Sequence, residues 1–129
     1  MEAIAIVTAL ALLQAFVFAF LVGKARGTYN VPAPAMSGNE NFEREFRVHQ
    51  NTVEQLIIVI PTMWIFGTFV HVMTAAGLGL VFVISRFIYR KAYLADPGSR
   101  STGFTIGAIC EMTLILGSLI GPAIRWYQG

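Results

Sequence analysis

The chain has 129 residues, of which 56% are hydrophobic and 12% charged, and its formal net charge is +2. That is enough for one domain, but its charge content is about half that of a typical soluble domain, so most of its surface is expected to face something other than water. The weak positive balance gives no footing for nucleic acid. The single cysteine, Cys110, excludes an intrachain disulfide and reads as a buried, inert thiol.

The first apolar run, Ala3 to Gly23, holds no charged residue, and Gln14 is its only large polar group. A membrane span needs about 20 apolar residues at 1.5 Å rise each. The run is too long for the core of a signal peptide. No basic segment precedes it and no clear small-residue cleavage site follows it, so it is expected to stay as a span. From Lys24 to Asn41 the composition shifts to Gly27, Asn30, Pro32, Pro34, Ser37, Gly38 and Asn39, which predicts a long loop. Helical periodicity resumes near Phe42. Glu43 to Glu54 reads as the water-exposed start of a helix whose apolar part, 53–72, is the second span, with a kink expected at Pro61.

A tight turn is expected over Thr74 to Gly77, after His71, which reads as an interfacial residue. The third span then covers about 75–93. Asp96-Pro97-Gly98-Ser99 is a turn signal. The fourth span covers about 102–124, with Ser99 or Ser101 as a candidate cap of its first turn. No internal repeat is present. The expected architecture is therefore all-α: a single integral membrane domain, 1–129, folded as a four-helix bundle. Lys24, Arg26, Arg44, Arg47, Arg86, Arg90, Lys91 and Arg100 fall on the loop side, and Arg125 alone falls on the other. This asymmetry puts the 24–41 loop, and the 24–52 segment as a whole, on the cytoplasmic side.

Arg47, Asn51 and Glu54 stand at i, i+4 and i+7, so they share one helix face, which Arg44 extends by a turn. Arg86, Tyr89 and Tyr93 make a similar face on the third helix. Arg100 opens the fourth, near the positive end of a helix dipole, where an anion is favoured. Taken singly, arginines here suit lipid phosphates and tyrosines suit the interfacial belt. Taken together, the three elements offer cations, phenols, an amide and a carboxylate. They suit a small zwitterion with more than one carboxylate, of which glutathione is one and other amino-acid-like anions are further examples. Two distant histidines and one cysteine give no metal cluster, and no glycine-rich phosphate loop is present. Glu111, within the fourth span, is the one mid-span carboxylate. It reads either as a paired residue at a helix interface or as a functional group. His49 could act as a base but also suits a helix surface.

The segment Phe42 to Glu54, with the pattern E-R-x-x-R-x-x-x-N-x-x-E, and the later Gly79 to Tyr89 resemble the membrane-associated proteins in eicosanoid and glutathione metabolism, the MAPEG family. The resemblance covers nearly the whole chain and is nearest to bacterial members of the microsomal glutathione transferase and leukotriene-C synthase branch. It implies a homotrimer of four-helix bundles in a bacterial inner membrane, with glutathione as co-substrate bound between subunits near the cytoplasmic surface and no metal. By motif position, Arg26, Arg47, Asn51, Glu54, Tyr89 and Tyr93 fall on the family's glutathione-binding set. Arg100 falls on the arginine that stabilises the thiolate. Four positions depart from the pattern. His49 stands for a glutamine and Gln55 for a tyrosine. The proline that follows the glutamate comes a turn later, at Pro61. Gly27 replaces a second arginine after the first span.

The activity so implied is a glutathione transferase that attacks lipophilic electrophiles, with peroxidase activity as a possible extension. Two alternatives stand beside it. One is a non-catalytic protein of the same fold that binds lipid or glutathione. The other is a small proton-coupled exporter that uses Glu111.

Overall fold

The computed structural model describes residues 1–129 as four long helices with no strands. Helix α1 runs Glu2–Tyr29, α2 Glu40–Phe69, α3 Val72–Ala95 and α4 Ser101–Gln128. All four are long and apolar enough to cross a membrane. At 1.5 Å per residue, α1 is about 42 Å long, more than the ~30 Å hydrocarbon layer requires. It continues past Gly23, where a loop is expected from sequence, and ends only at Asn30. Asn30 takes the left-handed conformation (φ 55°), and Val31 closes the turn by donating its N–H to the Arg26 carbonyl at 3.0 Å.

The α1–α2 connection is correspondingly shorter, and it is held from inside. Arg26 donates to the carbonyls of Val31 at 3.3 Å and Ala35 at 2.7 Å, with its guanidinium 4.8 Å from the Phe42 ring centroid. Asn39 then starts α2. Its side-chain oxygen accepts from the backbone N–H groups of Asn41 and Phe42 at 2.9 and 3.2 Å, and Glu40 and Glu43 complement the dipole of the first turn.

The α2–α3 turn lies at Val70–His71, not at Thr74–Gly77, which is already helical. His71 is the reason. Its Nδ1 accepts the Thr74 N–H at 3.2 Å, so the histidine caps α3 and lets the helix begin at Val72. The expected serine cap of α4 is also corrected. Ser99 Oγ donates backward, to the carbonyls of Ala92 and Asp96, within the Pro97–Ser99 turn of 3-10 helix. Arg100 occupies the cap position with no side-chain hydrogen bond to the helix. Pro61 sits inside α2, which continues unbroken through it.

Helices α2 and α3 form the centre. α1 packs against both on one side and α4 on the other, so α1 and α4 barely touch. The main core joins Ile4, Val7 and Ala11 to Leu56, Val59, Met63 and Phe66, and these to Ala75, Ala76, Phe82, Val83, Cys110 and Leu114. Two polar side chains bond across helices, although the buried Gln14 Oε1 is left without a partner. Gln14 donates to the Val83 carbonyl at 2.8 Å, and Ser118 to that of Thr62 at 2.8 Å. Large apolar side chains such as Phe16, Ile57 and Leu119 point outward. On a water-soluble protein such a face would be a liability; in a bilayer it suits lipid.

Candidate functional site

Four of the six arginines at the loop end are already engaged. Arg44 pairs with Glu40 and donates to the Leu94 carbonyl at 3.1 Å, tying α2 to α3. Arg90 grips Glu45 with both ends of its fork at 2.9–3.2 Å, although Glu45 is almost fully buried. Arg26 holds the α1–α2 connection. Arg86 is only 1% exposed, so it does not present its charge at the surface as the helical spacing suggests. Its Nε and Nη2 donate to Thr52 Oγ1 at 3.1 and 3.0 Å, and Nη2 also donates to Asn51 Oδ1 at 2.7 Å.

The two remaining arginines, neither paired with a carboxylate, meet in one place. Arg47 and Arg100 line a groove of about 570 Å³ together with Asn51, Tyr89 and Tyr93. Gly98, Ser101, Phe104 and Thr105 complete its wall. The tyrosine rings stack at 5.5 Å between centroids, and Arg86 lies 4.1 Å from the Tyr89 ring from behind. Arginine can only donate, so Asn51 must turn its oxygen toward Arg86, which leaves its two amide N–H groups free. Arg47 and Arg100 make only single neutral contacts, with Gln50 at 3.2 Å and the Pro97 carbonyl at 3.2 Å. The N-terminus of α4 has no side-chain cap and opens beside the same groove. Free backbone donors, two unpaired guanidinium groups, an amide and two phenols converge there. Such a set suits an anionic, hydrogen-bonding ligand.

Gly103 makes this arrangement possible. A Cβ there would lie 2.6 Å from the Tyr89 nitrogen, 2.8 Å from its Cα and 2.9 Å from the Ser85 carbonyl oxygen. Only glycine lets α4 approach the α3 backbone closely enough to set Arg100 opposite the tyrosines.

Of the seven residues singled out by motif, the groove gathers Arg47, Asn51, Tyr89, Tyr93 and Arg100. Glu54 is exposed on α2 outside the groove, and Arg26 is spent on the connection. His49 is half-buried beside this end of α2, and burial pushes its imidazole below the ordinary 6.5. Arg86 belongs to the α3 face read from sequence, but as a presented cation and not as a buried support; Ser101, Phe104 and Thr105 as wall are absent from the sequence-derived set. The last three were open to detection, since they follow Arg100 within about one helical turn. Glu111 also acquires a partner: with its amide nitrogen turned to the carboxylate, Gln55 donates to both Glu111 oxygens.

The sequence matches the MAPEG family over residues 4–120. It is 41% identical over 118 residues to microsomal glutathione S-transferase 2 of Homo sapiens, covering 90% of this chain and 80% of the relative. It is 39% identical over 122 residues to an uncharacterized protein of Synechocystis sp., covering 95% and 88%. It is 31% identical over 118 residues to leukotriene C4 synthase of Mus musculus, covering 92% and 78%. With a match across nearly its whole length and four helices able to span a bilayer, the chain belongs to the MAPEG family and is a multi-pass integral membrane protein.

Proposed function

We propose that this protein is a membrane-bound glutathione transferase that holds glutathione in the groove between α2, α3 and α4 and activates its thiol with Arg100. The observation that carries this reading is the pair of uncommitted cations. Arg26, Arg44, Arg86 and Arg90 each make several hydrogen bonds or an ion pair that tie the fold together, whereas Arg47 and Arg100 each make one local neutral contact. Arg47 and Arg100 face the groove with no acid beside them. The relatives named as glutathione S-transferase and leukotriene C4 synthase support a glutathione-handling membrane enzyme.

In this reading Arg47, Asn51, Tyr89 and Tyr93 bind and orient the tripeptide. Arg100 stabilises the thiolate, which is the nucleophile. A free thiol ionises near pH 8.5, so only a few per cent is thiolate at neutral pH. Lowering that value by about two units makes it mostly thiolate, at about 2.7 kcal/mol of differential stabilisation. One guanidinium in a half-dry site supplies that. The electrophile is lipophilic and arrives from the bilayer; a lipid hydroperoxide in its place would give peroxidase chemistry. Arg26 and Glu54, outside the groove of one protomer, take their part in a homotrimer, where a neighbouring copy brings its own surface to the site. The basic end lies on the cytoplasmic side of a bacterial inner membrane.

The test is glutathione titration of the detergent-solubilised protein, read as thiolate absorbance near 240 nm. Saturable binding with a thiolate signal is expected. Arg100→Ala should cut the thiolate population at neutral pH by about 25-fold while leaving binding measurable. An Arg100→Ala protein with unchanged thiol ionisation and full turnover refutes the role.

A further inference from the structure

Asn51 is the last α2 residue that lines the groove. One turn further along α2 on the same face stands Gln55, and three turns beyond Arg100 on nearly the same face of α4 stands Glu111. These two meet, the Gln55 amide donating to both carboxylate oxygens. Between the groove and this pair, Ala108 is small and half-buried, as are Asn51, Gln55 and Glu111 themselves. Each of these residues on the α2–α4 seam is therefore partly accessible.

Glu111 is under-supplied where it sits. A carboxylate offers about four acceptor sites, and one amide nitrogen is its only hydrogen-bond donor here. Arg86 is close enough to attract it, but makes no ion-pair contact, and its Nε and Nη2 donate to Asn51 and Thr52 instead. A polar group in an apolar slab with spare acceptor capacity and a half-open face is costly unless a further donor reaches it.

We propose that Gln55 and Glu111 form a second, deeper station for the lipophilic partner of the reaction. It selects chains that carry a hydrogen-bond-donating group, such as a hydroxyl, about three helical turns (~16 Å) from the reacting carbon. This rests on the transferase reading above, since it takes the reacting carbon to lie beside Arg100. A chain lying in the seam with its electrophilic end at the thiolate passes Glu111 at that depth. A hydroxyl there fills the empty acceptor sites. A plain hydrocarbon leaves them unpaired, and a site built to hydrogen-bond rejects the analogue that lacks the group.

The experiment compares two electrophiles with the same reactive head and chain length, one plain and one with a hydroxyl ~16 Å from the head. Glutathione conjugation by the full-length protein in detergent is the readout. The wild type should favour the hydroxylated chain by about tenfold or more in kcat/KM, mainly through KM. Glu111→Leu and Gln55→Leu should each lower kcat/KM for the hydroxylated chain more than for the plain one, and Glu111→Gln should keep part of the preference. Equal kcat/KM for the two chains in the wild type overturns the inference without touching the transferase reading, and it does so even if no variant folds. A wild type that conjugates neither chain overturns both. If Glu111→Leu affects both chains alike and shifts the sedimenting mass, the carboxylate serves a contact between copies and the station does not exist.

Discussion

The two ends of the bundle each hold a groove, and the grooves are similar in size but opposite in chemistry. At the loop end about 570 Å³ is bounded by Arg47, Arg100, Asn51 and two tyrosines; at the far end about 520 Å³ is bounded by Phe66, Phe69, Val70, Ile120 and Ile124. Both depend on glycines of α4. At the far end, a Cβ at Gly117 would strike the Phe66 ring, and one at Gly121 would come 2.7 Å from a Val70 methyl. At the loop end, Gly103 meets α3 backbone. Volume therefore says nothing about what each groove does. What separates them is that the far one offers surface and the near one offers unpaired charge. The near end also divides within itself: Arg44, Arg86 and Arg90 brace the helices, and Arg47 and Arg100 are left free.

Substitutions can break that contrast. The largest effect on stability is expected from Gly103→Ala, because backbone cannot step aside as a side chain can. About 3 kcal/mol should be lost in thermal unfolding in detergent, with weakened glutathione binding as Tyr89 is displaced. Gly107→Ala meets the Ser85 hydroxyl at 3.2 Å and otherwise only ordinary contacts with the Phe82 ring at 3.6–3.7 Å, and should cost under about 1 kcal/mol, so similar losses at both glycines would contradict the close-approach argument. Glu45→Gln leaves Arg90 without its counter-charge and should cost about 2 kcal/mol of stability, the pair being only partly buried. Glutathione affinity should stay within twofold of the wild type.

Arg47→Ala should do the reverse. Glutathione affinity measured by calorimetry should fall about tenfold, with unfolding shifted by less than about 0.5 kcal/mol. Ile120→Ala, in the far groove, should leave glutathione affinity unchanged; a clear loss there would mean the two ends are coupled. The smallest effect concerns pH. Burial lowers the His49 value in the folded chain, so as pH falls through 6.5 the unfolded chain takes up its proton first and stability declines. Above that pH both states are neutral and the contribution is flat. His49→Gln should remove this part of the acid slope.

Several of these contrasts were legible in the residues. The E-R-x-x-R-x-x-x-N-x-x-E spacing puts Arg47 and Asn51 on one face at any register, because helical periodicity alone decides it. The groove does contain both. Arg86 shows where that reasoning stops. Its spacing from Tyr89 places the two on one face, and they do touch, but periodicity cannot say whether that face looks outward or into the bundle. The turn after α2 failed for a related reason. His71 reads as an interfacial aromatic, and only its contact with Thr74 makes it the cap that starts α3.

By itself the sequence determined that there are four apolar helices, which end of them is basic, and which residues share a face, since these follow from local composition and a period of 3.6. The tertiary structure decided which charges are neutralised and which stay available. Whether an arginine is a brace or a ligand depends on the acid, carbonyl or hydroxyl that a different helix brings within 3 Å. The same holds for Gln55 and Glu111, 56 positions apart in the chain and bonded in the fold.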